Sequence, residues 1–143
     1  MMGERILLVD DEEEFLDIMS ERMRNRGMEV VTASSAKEAL EKIEEDLFDA
    51  IILDFMMPEM NGLETIEAIK AKKPELQVIL LSGQATLEKG IEAMKLGAFD
   101  VVEKPADMET LIAKIKNAES KRALIVDKQT QEKVEEMLKR FGV

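Results

Sequence analysis

The sequence predicts an α/β fold in three layers, a parallel sheet with helices packed on both faces. Three observations carry this expectation. Five short apolar runs alternate with five helical segments along the chain. The runs are apolar at nearly every position rather than at every second one, as in strands covered on both sides. The connections are short, which suits parallel strands joined through helices. With 143 residues, 45% of them hydrophobic, the chain is long enough for one domain with a sizeable core.

The elements follow in order. Arg5-Ile6-Leu7-Leu8-Val9 is a buried strand ending at Asp10-Asp11. Glu12 to about Arg26 reads as a helix with Phe15, Ile18, Met19 and Met23 as its apolar stripe. Asp11 and Glu14 have capping-box spacing, the run of Glu12, Glu13 and Glu14 suits the positive end of the helix dipole, and Gly27 ends the helix. Residues 28–33 form the second strand. Ser35 with Glu38 caps the next helix, whose core side is Ala36, Ala39, Leu40 and Ile43. Residues 49–54 are the central strand, closed by the lone carboxylate of Asp54 and followed by a loop marked by Pro58, Asn61 and Gly62. Leu63, Ile66 and Ile69 mark a third helix that stops before Pro74. Residues 76–81 make the fourth strand, ending at Ser82-Gly83. Thr86 to Leu96 reads as a fourth helix, the least stable one, because the interior Gly90 costs about 1 kcal/mol relative to Ala. Residues 99–103 form the fifth strand, followed by Lys104-Pro105, and Asp107 caps a fifth helix bearing Met108, Leu111, Ile112 and Ile115.

Composition removes several classes of function. The formal charge of −11 argues against nonspecific binding to DNA or to an anionic membrane. Five Phe, with no Trp or Tyr, leave little for base stacking or an aromatic sugar cleft. The absence of Cys excludes disulfides, thiolate metal sites and thiol catalysis, and the absence of His excludes an imidazole base or a phosphohistidine on this chain. No signal peptide or stretch of transmembrane length is visible, so a cytoplasmic location is the expectation.

Chemistry collects at the ends of the strands. Asp10 and Asp11 follow the first, Asp54 ends the third, Ser82 ends the fourth and Lys104 follows the fifth. In a parallel sheet these ends share one edge, where open α/β sheets bind ligands. Any one of these residues could serve as a helix cap, a turn residue or a solvated charge; their shared position at the ends of four strands points to a site. Three clustered carboxylates repel one another, and a bound dication removes the conflict. Oxygen ligands alone suit Mg²⁺, or Mn²⁺, rather than zinc. A cation, a hydroxyl and an ammonium around one carboxylate describe phosphoryl transfer, with Asp54 as the nucleophile of an aspartyl phosphate.

The motifs resemble those of a response-regulator receiver domain of two-component signalling. Val9-Asp10-Asp11 is similar to the family's acidic pair, and Asp54 through Met57-Pro58 to Gly62 to its phosphoacceptor signature. Ser82-Gly83 and the segment from Gly97 to Lys104-Pro105 match further family positions, and the resemblance covers about residues 4–118. It implies a flavodoxin-like sheet in the order 2-1-3-4-5 and a cis bond at Lys104–Pro105. It also implies phosphoryl transfer to Asp54 from a histidine kinase or phosphotransfer protein. Asp11, Asp54 and the Met56 carbonyl would bind Mg²⁺ directly and Asp10 through water, with Ser82 and Lys104 on the phosphoryl oxygens. The implied output is an altered contact with a downstream protein or a second copy of the chain, through the fourth and fifth helices and the tail, with no enzymatic turnover of an external substrate.

Val101 stands where the family usually has Tyr or Phe, and Phe99, two residues earlier, is expected on the same face of the fifth strand. Signalling is therefore expected to use backbone motion of the Ser82 loop and the Gly90 helix, read as altered hydrogen exchange over residues 83–103 with a phosphate mimic. Gln84 and Met56 flank the approach of the hydrolytic water without offering a carboxylate base, so self-dephosphorylation should be moderate to slow. Residues 119–143 carry a net charge of +1 against −12 for residues 1–118. They read either as further helix, with Val134, Met137, Leu138 and Phe141 as a stripe, or as the start of a second receiver, whose first strand at 122–127 echoes 5–10; the helix is preferred because 129–140 is dense in helix formers. The division expected is a receiver at 1–118 and an extension at 119–143 without an effector domain. A stripe on the extension would dock on its own domain or on another subunit. Two rivals are a pseudo-receiver that only binds partners and an aspartate-nucleophile phosphohydrolase. Metal-dependent labelling and turnover of a phosphoester, respectively, separate them from a working receiver.

Overall fold

The computed structural model describes residues 3–83, 87–105 and 107–141. Its strands are β1 (Arg5–Val9), β2 (Glu29–Ala33), β3 (Ala50–Asp54), β4 (Gln77–Ser82) and β5 (Asp100–Glu103). Its helices are α1 (Glu13–Arg24), α2 (Ala36–Glu45), α3 (Gly62–Lys72), α4 (Leu87–Lys95) and α5 (Met108–Arg140). All pairings are parallel and the strand order is β2-β1-β3-β4-β5, as the resemblance implies.

Alternate residues of each strand feed two separate cores, which is why the strands are apolar throughout. Leu7, Val9, Ile51 and Leu53 face Ala39 and Ile43 of α2, Ile66 and Ile69 of α3, and Ala93 of α4. Ile6, Leu8, Ile52 and Ile79 face Met19 and Met23 of α1 and Leu111, Ile115 and Ala118 of α5. β3 lies at the centre, and all five of its residues are buried.

The first helix differs from expectation. Leu16, Met19, Ser20 and Met23 are its buried residues, whereas Ile18 is 47% exposed. A helix has one core-facing stripe, and positions 16, 19, 20 and 23 define it; Ile18 falls outside. The Asp11–Glu14 capping box does not form. Glu12 is the N-cap, and the Oδ1 of Asp10 accepts the Glu12 N–H at 2.9 Å. Ser35 and Asp107 do cap α2 and α5, accepting from Glu38 N–H and Thr110 N–H at 3.1 and 3.2 Å.

Phe99 and Val101 also part from expectation. Val101 packs against the α2–α4 core and Phe99 against the α1–α5 core. β5 begins only at Asp100, so strand alternation does not reach back toward the turn at Gly97, whose φ is +103°. Thr86, expected to open α4, lies outside the described residues, as does Gln84.

The tail is helix. α5 runs unbroken for 33 residues, so the alternative strand at 122–127 does not form. The expected stripe does not dock on its own domain: Val134, Met137, Leu138 and Phe141 are 53%, 47%, 44% and 68% exposed. No helix among the described residues is long and apolar enough to cross a membrane.

Candidate phosphoacceptor site

The site forms where β1, β3, β4 and β5 end. β3 delivers Asp54 as its last residue, with only 6% of its surface exposed. Asp10 leaves β1 fully buried, and Asp11 is exposed beside it. One carboxylate oxygen from each of Asp10, Asp11 and Asp54 lies within 4.8 Å of the others. β4 ends at the buried Ser82, whose carbonyl accepts the Lys104 N–H at 2.8 Å and so ties the residue after β5 to this edge. The Lys104 Nζ lies 2.9 Å from Asp10 Oδ2 and 3.2 Å from Asp54 Oδ1. The Lys104–Pro105 peptide bond is cis, as expected.

The loop after Asp54 is held close by packing at Gly62. The Gly62 N–H donates to the Phe55 carbonyl at 2.8 Å. A Cβ at Gly62 would stand 2.7 Å from Leu80 Cδ1 and 3.0 Å from the Phe55 Cα, so a larger residue would push α3 away from the sheet. Asn61 and Glu64 form a reciprocal capping box that starts α3 at this point. Glu59 takes a φ of 71°, the left-handed region, which turns the loop between Pro58 and Met60. The Met56 side chain is 67% exposed.

Electrostatics follow from this crowding. Burial, then the charge of Asp10, pushes the Asp54 carboxyl above the usual aspartate range, against the pull of Lys104. Burial disfavours the Lys104 charge, but the hydrogen bond to Asp10 and the charge of Asp54 outweigh it and hold its pKa above the ordinary lysine value. Among the described residues, three carboxylates face one ammonium, so the pocket is anionic and its donors are hard oxygens. That donor set fits Mg²⁺ or Mn²⁺, and the carboxylate repulsion supplies the reason to take up a dication.

Asp10, Asp11, Asp54 and Lys104 are thus brought together, and Ser82 reaches the same edge on the strand next to Asp54. Phe15 is a further participant. Its ring centroid lies 4.4 Å from the Lys104 Nζ. Helical periodicity places Phe15 in the core stripe of α1 and no more; a contact between residues so distant in the chain leaves no local pattern.

Comparison with known proteins agrees with this geometry. The family described as "Response regulator receiver domain" matches residues 6–116. The transcriptional regulatory protein ZraR of Escherichia coli (strain K12) is 36% identical over 113 residues, covering 79% of this chain and 26% of ZraR, so the chain spans about a quarter of that relative's length. The crystal structure of a response regulator receiver domain protein from Clostridium thermocellum superposes with a TM-score of 0.82 at 35% identity, covering 86% of this chain and 99% of that one. A structure titled as adenylate cyclase from Rhodopirellula baltica superposes with a TM-score of 0.85 at 32% identity, over 92% of this chain and 98% of that one. With its parallel sheet in the 2-1-3-4-5 order and an acidic pocket at the strand ends, this chain belongs to the response regulator receiver domain family of two-component systems.

Proposed function

We propose that Asp54 accepts a phosphoryl group from a histidine kinase or phosphotransfer protein in a Mg²⁺-dependent reaction. The observation that carries this reading is the buried Asp54 carboxylate at a strand end, flanked by Asp10 and Asp11 and 3.2 Å from the Lys104 ammonium. An Asp54 oxygen attacks phosphorus, and the P–N bond to the donor imidazole breaks, its electron pair leaving with the imidazole. Lys104 and the Ser82 hydroxyl donate to the phosphoryl oxygens as charge shifts among them. Asp11, Asp54 and the Met56 carbonyl would hold the metal directly and Asp10 through water. When bound, Mg²⁺ neutralises the carboxylates and the phosphoryl oxygens. The product is a phosphorylated signalling domain that assists its own phosphorylation and dephosphorylation. Its output is a changed contact with another protein. No direct nucleic-acid contact is proposed for these 143 residues, which carry a charge of −11; ZraR is named as a transcriptional regulator, but the match covers only 26% of it.

Intact mass after incubation with Mg²⁺ and a small acyl phosphate tests this. The expected gain is one phosphoryl group, absent from Asp54→Asn and from a Mg²⁺-free control, and lasting longer than seconds. No gain from the acyl phosphate or from purified histidine kinases would overturn the reading in favour of a domain that only binds partners.

The same carboxylate predicts a pH effect on folding. Asp54 titrates higher in the folded protein than in the unfolded chain, so its ionisation costs stability as pH rises from the unfolded value through the folded one. Lys104 acts in the opposite sense: its raised pKa contributes stability that is lost only as pH climbs through its folded value, in the alkaline range. At neutral pH, Asp54→Asn should therefore melt a few degrees above the native protein, and Mg²⁺ should raise the native Tm more than that of the variant. Equal melting temperatures at neutral pH would show that the pocket is not strained by its charges.

A further inference from the structure

We infer that Phe15 is a positioning residue for Lys104, its ring holding the ammonium over the pocket when Asp54 changes from a free carboxylate to an acyl phosphate. The inference rests on the proposed function and deepens it.

Among the described residues, the Lys104 Nζ lies 2.9 Å from Asp10, 3.2 Å from Asp54 and 4.4 Å from the Phe15 ring. Phosphorylation changes the Asp54 oxygens, and metal binding draws on the same carboxylates. The ring alone neither titrates nor ligates, so its attraction for the cation is the same before and after the reaction. It is also the shortest of the four cation–ring contacts among the described residues, the others lying at 4.8 to 5.7 Å.

The ring is itself held. Phe15 is half-buried against the α1–α5 core and sits in the first turn of α1. The start of that helix is set by Asp10, whose Oδ1 accepts the Glu12 N–H while its Oδ2 accepts from Lys104. One buried carboxylate therefore places both the helix that carries the ring and the ammonium that the ring faces. Without the ring, a flexible lysine with four rotatable bonds would keep, of these three contacts, the two to carboxylates whose state the reaction alters. An aliphatic side chain would fill the same space without the ring's electrostatic face.

The test compares Phe15→Leu, Phe15→Tyr and Phe15→Leu combined with Lys104→Met. One readout is the rate of phosphoryl gain from a small acyl phosphate with Mg²⁺. The other is the proton shift of the Lys104 ε-methylene in the unphosphorylated protein. Phe15→Leu should slow phosphorylation about five- to tenfold, the loss of one partly desolvated cation–π contact, and Phe15→Tyr should restore it. In the Lys104→Met background Phe15→Leu should cost nothing further. The methylene protons, shielded by the ring in the native protein and in Phe15→Tyr, should move downfield in Phe15→Leu. Native rates in Phe15→Leu, or an equal loss in the Lys104→Met background, would overturn the inference. Should Phe15→Leu fail to fold, Phe15→Met replaces it. Should the native protein take no phosphoryl group, the proposed function fails, and unshielded methylene protons would sink the placement of Lys104 by Phe15 separately.

Discussion

The two halves of α5 are one continuous helix and differ in almost everything else. From Met108 to Arg122 the helix is part of the domain. Leu111, Ile115 and Ala118 are fully buried, Lys114 pairs with Asp100, and Lys116 lies 3.0 Å from Glu4. The last ties are the Lys121 ammonium over the Phe99 ring at 5.6 Å and Arg122 at 3.7 Å from Asp49. From Ala123 to Arg140 every residue is exposed except the half-buried Ile125. That second half holds its shape through local terms: helix-forming residues and pairs one turn apart such as Arg140 with Glu136 at 3.1 Å. Continuity of hydrogen bonding is thus no measure of integration; packing is. The charge balance changes close to this point, from −12 over 1–118 to +1 over 119–143. We propose the division at residue 118, the last fully buried position of the helix, with residues 119–122 a junction that Lys121 and Arg122 still tie to the domain, since the secondary structure runs straight through it.

Mutations sharpen the contrast. Ile115→Ala should cost about 2–5 kcal/mol in urea unfolding, because it leaves a cavity in the α1–α5 core. Leu138→Ala, the same kind of truncation on the solvated half, should stay within about 0.5 kcal/mol. A large effect of Leu138→Ala that depends on protein concentration would mean instead that the stripe is covered by a second copy. Arg122→Ala, at the junction, should cost about 1 kcal/mol: its side chain is mostly buried, but its ion pair is long. Deleting residues 123–143 should have the smallest effect on the unfolding midpoint while lowering helicity measured by circular dichroism. A drop of several kcal/mol on deletion would show instead that the second half supports the first.

Much of the candidate site is readable along the chain because it is written at strand ends. Alternating apolar runs mark five strands, and in a parallel sheet the residue after each run must lie on one edge. Asp10, Asp11, Asp54, Ser82 and Lys104 are found there for that reason alone. The missed elements share a different character. Leu16 rather than Ile18 faces the core because the angle at which α1 meets the sheet selects among several apolar residues of that helix. Asp10 rather than Asp11 supports the start of α1 because the buried carboxylate turns back toward the chain.

The alternation of elements, the parallel edge and the residues that arrive at it are encoded locally along the chain, since these follow from periodicity and from where each run stops. Tertiary structure alone decided which face of α1 is buried, on which side Phe99 lies, where α5 parts from the domain, and that Phe15 meets a lysine 89 positions away. The physical reason is range. Local patterns encode the conformation of a segment, whereas the register of β1, β3, β4 and β5, set by pairing across the whole sheet, decides which side chains then touch.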